Sequence, residues 1–429
     1  MEKVLIITYY WPPAGGPGVQ RWLKFVKYLR DFGIEPVVYI PENPNYPMLD
    51  NSLENEIPEG ITILKTPIFE PYQIAGLFSK DQTKTISKGI IADERNQSFL
   101  QKSLLFIRGN LFIPDARKFW IKPSVKFLKT YLKEEGIKKI ITTGPPHSLH
   151  LIGLKLKQEL DLKWIADFRD PWTQIGYHKK LKLTESSKKK HLSLEWEVLN
   201  LADQIITTSF TTKAKFAEKT NKPINVITNG FDADENEAQT NELDGKFSIS
   251  HIGSLLSERN PKNLWKAIAE LVKENSDFEK DLELKLAGTV GEEVINSIKS
   301  AGLGDKLQLL GYVSHNQAIA LQQKSRLLLL IEINSEETRG IIPGKLFEYL
   351  MAKRPILAIG PQKWDVQQIL EETDSGQYFQ YSERNKLKGV ILSQYEKYKE
   401  GDTNFVKGEI SQYGRKNLTE KLASLIKSV

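Results

Sequence analysis

Short apolar runs separated by stretches of helical period dominate the first half of the chain. KVLIIT, EPVVYI, ITILKT, KKIITT, KWIADF and DQIITTS are strand-length segments rich in Val and Ile. Between them lie stretches such as VQRWLKFVKYLRDFG, whose apolar positions Trp22, Phe25, Val26 and Leu29 recur at helical spacing. SLHLIGLKLKQEL reads the same way. Strands that run apolar without alternation, set between helices, predict a parallel sheet covered on both faces.

The segment GFDADENEAQTNELDGK breaks this rhythm. It is acidic, polar and without apolar periodicity, which reads as a linker or surface loop. The alternation then restarts with FSISHIG, LELKLAG, LQLLGYV, RLLLLIE and RPILAIG, again with helical patterns between. The expected fold class is therefore α/β: two Rossmann-like, doubly wound parallel-sheet domains in series. The first is expected over residues 1–222 and the second over 223–407, with a last helix at about 408–429 returning to the first. SKDQTKTISKGIIADERNQS reads as an inserted, mobile stretch of the first domain. No short-period repeat points to a solenoid.

Composition narrows the picture. At 429 residues, 40% apolar and 27% charged, the chain is globular and long enough for two cores. The absence of Cys excludes a disulfide framework and thiolate metal sites, and fits a reducing compartment. No apolar run approaches bilayer length, and the first strand lacks the basic flank and cleavage site of a signal peptide. The expected address is the cytoplasm. A net charge of +6 suits an anionic substrate or a membrane surface as well as nucleic acid. TESSKKKHL and IKPSVKFLKTYLKEEGIKK concentrate part of it, and each run alone fits a solvated helix face.

Ligands of doubly wound sheets bind beyond the carboxyl ends of the strands, so chemistry is sought there. After the first strand, YYWPPAGGPGVQ places Gly15, Gly16 and Gly18 before a helix, where free N–H groups and the helix dipole favour an anion. The dinucleotide fingerprint is half met, because its third glycine position is Arg21; a turn needing positive φ explains the glycines equally well. In HIGSLLSERNPKNLWKAI, Arg259 and Lys262 precede a helix, and two cations there suit a diphosphate. A surface loop with two basic residues is the plain alternative. In EINSEETRGIIPGKLFEYLMA a helix starts near Pro343, with Lys345 in its first turn and Glu348 one turn further. A carboxylate so placed can accept hydrogen bonds from the vicinal hydroxyls of a ribose, or simply favour the helix dipole.

Taken together, these residues resemble a GT-B-fold glycosyltransferase, similar to the retaining family 4 enzymes. The likeness extends over nearly the whole chain and includes Asn229-Gly230 in VITNGFD, where such enzymes carry an Asn-Gly step between domains. It implies two domains facing across a cleft, a nucleoside-diphosphate sugar as donor, no metal and no other cofactor, with basic side chains and a helix N-terminus neutralising the leaving diphosphate. Matched position by position, Glu348 holds the ribose. Arg259 and Lys262 lie in the diphosphate loop, and Tyr312 and Val313 in LGYVSHN meet the nucleobase. Gly15 and Gly16 approach the donor's charged end from the first domain, and Gly344 and Lys345 flank the donor sugar.

The chain departs from that pattern in three places. Family members often carry a second glutamate eight residues before the first-named one, and here that position is Gly340, with Glu336 and Glu337 nearby as substitutes. The arginine that usually follows the loop glycine is Ser254. The first domain's histidine is not at the strand end of IITTGPPHSLH, which is Thr142-Thr143, but at His147 beyond it. His147 is the histidine expected to orient donor and acceptor, and Asp170 of ADFRDPW the carboxylate expected on the acceptor side. Helix capping by His147 and an internal Asp–Arg ion pair within Asp167, Arg169 and Asp170 are the structural alternatives.

The resemblance further implies a glycan or lipid-linked saccharide acceptor and a role in cell-envelope or surface polysaccharide synthesis, with no nucleic-acid partner. SLLFIRGNLFIPDARKFWIKPSVKF interleaves aromatics with Arg108, Arg117, Lys118 and Lys122, as an anionic membrane face would require, at the inner side of the cell membrane; core packing of those aromatics is the alternative. Two other readings of the chain stand beside transfer: a sugar-nucleotide epimerase of the same fold, and a non-catalytic nucleotide-sugar-binding protein.

Overall fold

Thirteen strands fall into two parallel sheets in a computed structural model that describes residues 1–71, 99–179, 181–232, 242–402 and 408–429. The inserted stretch of the first half and most of the acidic linker lie outside the described residues. The chain divides into two units, Met1–Asn229 with Arg415–Val429, and Gly230–Gly414.

The first unit orders its strands β3-β2-β1-β4-β5-β6-β7. They are β1 (Glu2–Ile7), β2 (Ile34–Pro41), β3 (Thr62–Thr66), β4 (Lys139–Gly144), β5 (Lys163–Phe168), β6 (Gln204–Thr207) and β7 (Ile224–Val226). β1 shows why its sequence is apolar throughout. Leu5 and Ile7 enter the core on one face, Val4 and Ile6 the core on the other, so neither parity is free to be polar. The helix Pro17–Leu29 packs on the second face through Trp22, Leu23 and Val26. The terminal helix Arg415–Ser428 lies on it, contributing Leu418, Leu422 and Ile426 to the same core.

The second unit orders its strands β10-β9-β8-β11-β12-β13. They are β8 (Phe247–Ile252), β9 (Leu282–Ala287), β10 (Leu307–Gly311), β11 (Leu327–Ile331), β12 (Ile356–Gly360) and β13 (Gly376–Gln380). Trp265, Ile268 and Leu271 of the helix Lys262–Glu274 meet Leu387, Ile391 and Tyr395 of the helix Arg384–Lys399 in its core.

Both sheets reverse direction once, the first between β1 and β4 and the second between β8 and β11. At such a reversal the loops on either side leave in opposite directions and open a crevice at the strands' carboxyl ends. Among the described residues no helix is long and apolar enough to cross a membrane.

Candidate functional site

The reversal point of the second sheet gathers four charged groups. β8 ends at Ile252 and turns through Gly253, whose φ of 122° places it in the region that favours glycine. A side chain at Gly253 would collide as well: an added Cβ would lie 2.5 Å from the Lys345 ammonium. Lys345 occupies the first turn of the helix Gly344–Ala352, and its Nζ is 3.4 Å from His251 Nε2. Burial, and then the Arg259 charge, push the Lys345 ammonium down to about 8, while Glu332 and Glu348 pull the other way. His251 is itself pushed down to about 3, first by burial and then by Lys345, so it is neutral and hydrogen-bonded through Nδ1 to Leu329 O at 2.9 Å.

Arg259, on the loop after β8, donates from Nε and Nη2 to Glu332 Oε1 at 3.1 and 3.0 Å. Glu332 follows β11 directly and is almost wholly buried. Glu348, one turn into the Gly344–Ala352 helix, accepts from Gln322 Nε2 at 2.8 Å through Oε2. Arg259, Lys345 and Glu348 thus lie near one another, whereas Lys262, expected beside Arg259 on the diphosphate, pairs with Glu293 instead. Glu332 was passed over because it closes an apolar run and reads as the end of a strand.

Other expected donor contacts lie elsewhere in the unit. Lys262 forms a solvent-facing ion pair with Glu293 at 2.9 Å. Tyr312 follows edge strand β10 and is 95% exposed, with Val313 beside it. Glu336 turns to the surface and pairs with Arg339 at 2.8 Å, and the acid nearest to the Arg259–Lys345 cluster on that connection is Glu332 instead.

The reversal point of the first sheet is built differently. The Gly15 N–H donates to Met48 O at 3.1 Å, while Gly16 caps the helix Pro17–Leu29. Arg21, which interrupts the dinucleotide fingerprint, makes a buried ion pair with Asp167 at 3.0 Å. Asp167 also accepts from Trp22 Nε1 at 2.9 Å and Thr143 Oγ1 at 2.8 Å, so its charge is satisfied internally. The Asp–Arg pair thus exists, but Arg169 is not in it. The Arg169 guanidinium instead lies against Gly18 at the start of that helix, where an added Cβ would fall on it, and bonds Pro145 O. Sequence reasoning gave it no role beyond an ion pair.

His147 leaves β4 and stacks on Trp172 with ring centroids 4.8 Å apart and planes 2° from parallel. It is 4% exposed, and neither ring nitrogen has a hydrogen-bond partner among the described residues. Burial, reinforced by His150, Arg169, His178 and His191, holds it well below the ordinary histidine range. At neutral pH it is an uncharged imidazole, with one ring nitrogen able to donate and the other to accept a hydrogen bond. Asp170 is partly buried, and burial raises its carboxyl against the pull of Arg169.

The aromatic–basic stretch divides. Trp120, Ile121 and Val125 are core residues, whereas Leu111 and Phe119 face solvent. Phe69 meets Phe119 at 5.6 Å, and Phe112 meets it at 6.1 Å. Lys118 Nζ lies 5.6 and 5.3 Å from the Phe112 and Phe119 rings. Lys118 is pushed down by partial burial and by Lys190.

Residues 232–361 match the model of a family described as glycosyl transferases group 1. Among curated proteins none matches the chain in sequence. Solved structures match its fold over the whole length. HepE from Anabaena, in complex with UDP, is 14% identical with a TM-score of 0.62, covering 100% of both chains. The lipopolysaccharide outer core galactosyltransferase WaaB is 12% identical at 0.58, covering 100% of this chain and 99% of its own. Sucrose-phosphate synthase from Thermosynechococcus elongatus is 14% identical at 0.57, with the same coverage as WaaB. The fold is that of the GT-B glycosyltransferases, with two parallel-sheet α/β domains.

Proposed function

We propose that the protein is a glycosyltransferase whose second unit binds a nucleoside-diphosphate sugar. The observation that carries this reading is the meeting of Arg259 and Lys345 with Glu348 at the reversal point of the second sheet. Lys345 in the first turn of the helix Gly344–Ala352 and Arg259 on the loop after β8 suit the diphosphate, which they and the helix's N-terminal N–H groups neutralise as the glycosidic bond breaks. Glu348 takes the ribose hydroxyls. Gly344 and Lys345 flank the sugar, Lys262 adds charge at the loop's outer edge, and the segment at Tyr312 and Val313 meets the base. The group 1 family match over 232–361 covers these elements, and the Anabaena relative carries UDP, which makes UDP the first nucleotide to test.

The reaction in this proposal is retaining and metal-independent: the departing phosphate stabilises the sugar cation on the face the acceptor enters. In this reading Gly15 and Gly16 are the first unit's residues for the donor's charged end. That unit also supplies the acceptor side through His147 and Asp170. The acceptor is a glycan or lipid-linked saccharide of the cell envelope, and Phe119 with Lys118 and Lys190 offers an apolar, cationic face for peripheral contact with an anionic membrane from the cytoplasmic side.

Calorimetric titration with UDP, GDP and ADP, followed by hydrolysis of a panel of nucleotide sugars, tests the donor assignment. One nucleotide is expected to bind and its sugar conjugates to be hydrolysed slowly. His147→Ala is expected to lower turnover more than donor affinity. Failure of all three nucleotides to bind would count heavily against a donor-dependent transferase.

A further inference from the structure

Building on the donor reading above, we infer that Glu332 is a positioning residue of the donor site: it fixes the Arg259 guanidinium edge-on and adds negative charge on the side of Lys345.

Geometry carries the first part. Glu332 is held by its backbone and by one carboxylate oxygen. Its N–H donates to Ile359 O at 2.9 Å, its carbonyl accepts from Tyr381 at 2.8 Å, and its Oε1 accepts from the Ile333 N–H at 2.8 Å. That same oxygen takes both Nε and Nη2 of Arg259. A guanidinium has two donor edges. Glu332 occupies the Nε edge, and the Nη1 edge carries no bond among the described residues. The Arg259 side chain is 30% exposed against 2% for Glu332. The arginine is therefore held from behind with its second edge available for a bidentate grip on phosphate oxygens.

The second part concerns Lys345. The groups facing it are His251 on β8, Arg259 on the following loop, Glu332 beyond β11, and Glu348 on its own helix. His251 is neutral and Arg259 repels the ammonium, so Glu332 and Glu348 are the two groups that favour it, against burial and the arginine. Glu332 provides one of these two charges from the strand end, while holding one edge of the arginine.

Three variants test this in the full-length protein with UDP as probe, or whichever of UDP, GDP and ADP the wild type binds. Glu332→Ala releases Arg259 and is expected to raise Kd about tenfold or more, the scale of a lost charged hydrogen bond. Glu332→Gln keeps size and one acceptor but removes the charge. Its affinity is expected to fall away at lower pH than that of the wild type, whose affinity falls as Lys345 deprotonates near 8. Glu332→Asp should restore the wild-type pH midpoint. NMR titration of the Lys345 ammonium in ligand-free wild type and Glu332→Gln reads the same charge effect without nucleotide, with a lower midpoint expected in the variant. Equal Kd and equal midpoints across these proteins would overturn the inference. Absence of any nucleotide binding by the wild type would sink the donor reading instead, and the lysine titration would still report whether Glu332 sustains that charge.

Discussion

Glu348 offers only one oxygen to its neighbours, the one that takes the Gln322 amide. The other carries no bond among the described residues, and a ribose can use it. Glu348→Gln is expected to weaken UDP binding about tenfold without shifting the melting temperature, since the ribose loses a charged acceptor and the fold loses none of its core. Calorimetry beside a thermal melt checks this, and an unchanged Kd would remove Glu348 from ribose binding. Arg259 and Lys262 should separate in the same assay. The arginine is braced by a buried carboxylate, whereas the lysine shares its charge with an exposed Glu293, an arrangement worth little. Arg259→Ala should therefore raise Kd more than Lys262→Ala; the reverse order would make Lys262 the main diphosphate ligand. Lys345 and Glu348 were legible because helix-start signals placed them together on one helix. Glu332 was not, because its meaning depends on an arginine 73 residues earlier in the chain.

Four separate elements of the first unit bring their histidines together. His147 follows β4, His150 sits in the helix Ser148–Glu159, His178 in Gly176–Lys179 and His191 in Glu185–Leu201. Trp172 links two of them, stacking on His147 and donating to His191 Nδ1 at 3.1 Å, and His178 meets His191 at 4.6 Å. Burial comes first among the causes that lower all four, taking His150 to about 3 and His178 to about 4. Bases depressed by folding leave the unfolded chain with more bound protons below its own pKa of 6.5. Stability is then complete above pH 6.5 and declines as pH falls, by up to about 1.4 kcal/mol per pH unit for each histidine kept neutral. Urea midpoints at pH 7.5, 6.5 and 5.5 should fall in that order; a flat series would mean the imidazoles take up protons in place. The sequence put His147 and His150 one turn apart but gave no sign that His178 and His191 join them. Strands were read more fully, with two instructive gaps. β7 spans three half-buried residues and β13 reads GQYFQ, both at sheet edges where one side has no neighbour to demand an apolar run. Conversely LQLLGYV looked like a core strand, yet β10 is an edge strand with Leu309 half exposed.

At the scale of the whole molecule, cores and chain order disagree. Each buried cluster belongs to a single unit, but the first unit is completed only by the chain's final stretch, Arg415–Val429. Leu418, Leu422 and Ile426 are buried in the helix that lies on Pro17–Leu29. Three such side chains returned to water cost about 1.5–3 kcal/mol each. Their sum is comparable with the 5–15 kcal/mol that holds a typical domain together. A chain ending at Gly414 should therefore unfold its first unit at markedly lower temperature, although nothing within residues 1–229 has changed. The second unit keeps its sheet, its core and the Arg259–Glu332–Lys345 cluster, so it should still bind nucleotide. Calorimetric melting of the truncated chain with and without UDP separates the outcomes. A nucleotide-sensitive transition is expected to persist while the other moves down; loss of both together would mean that the second unit's fold depends on the first.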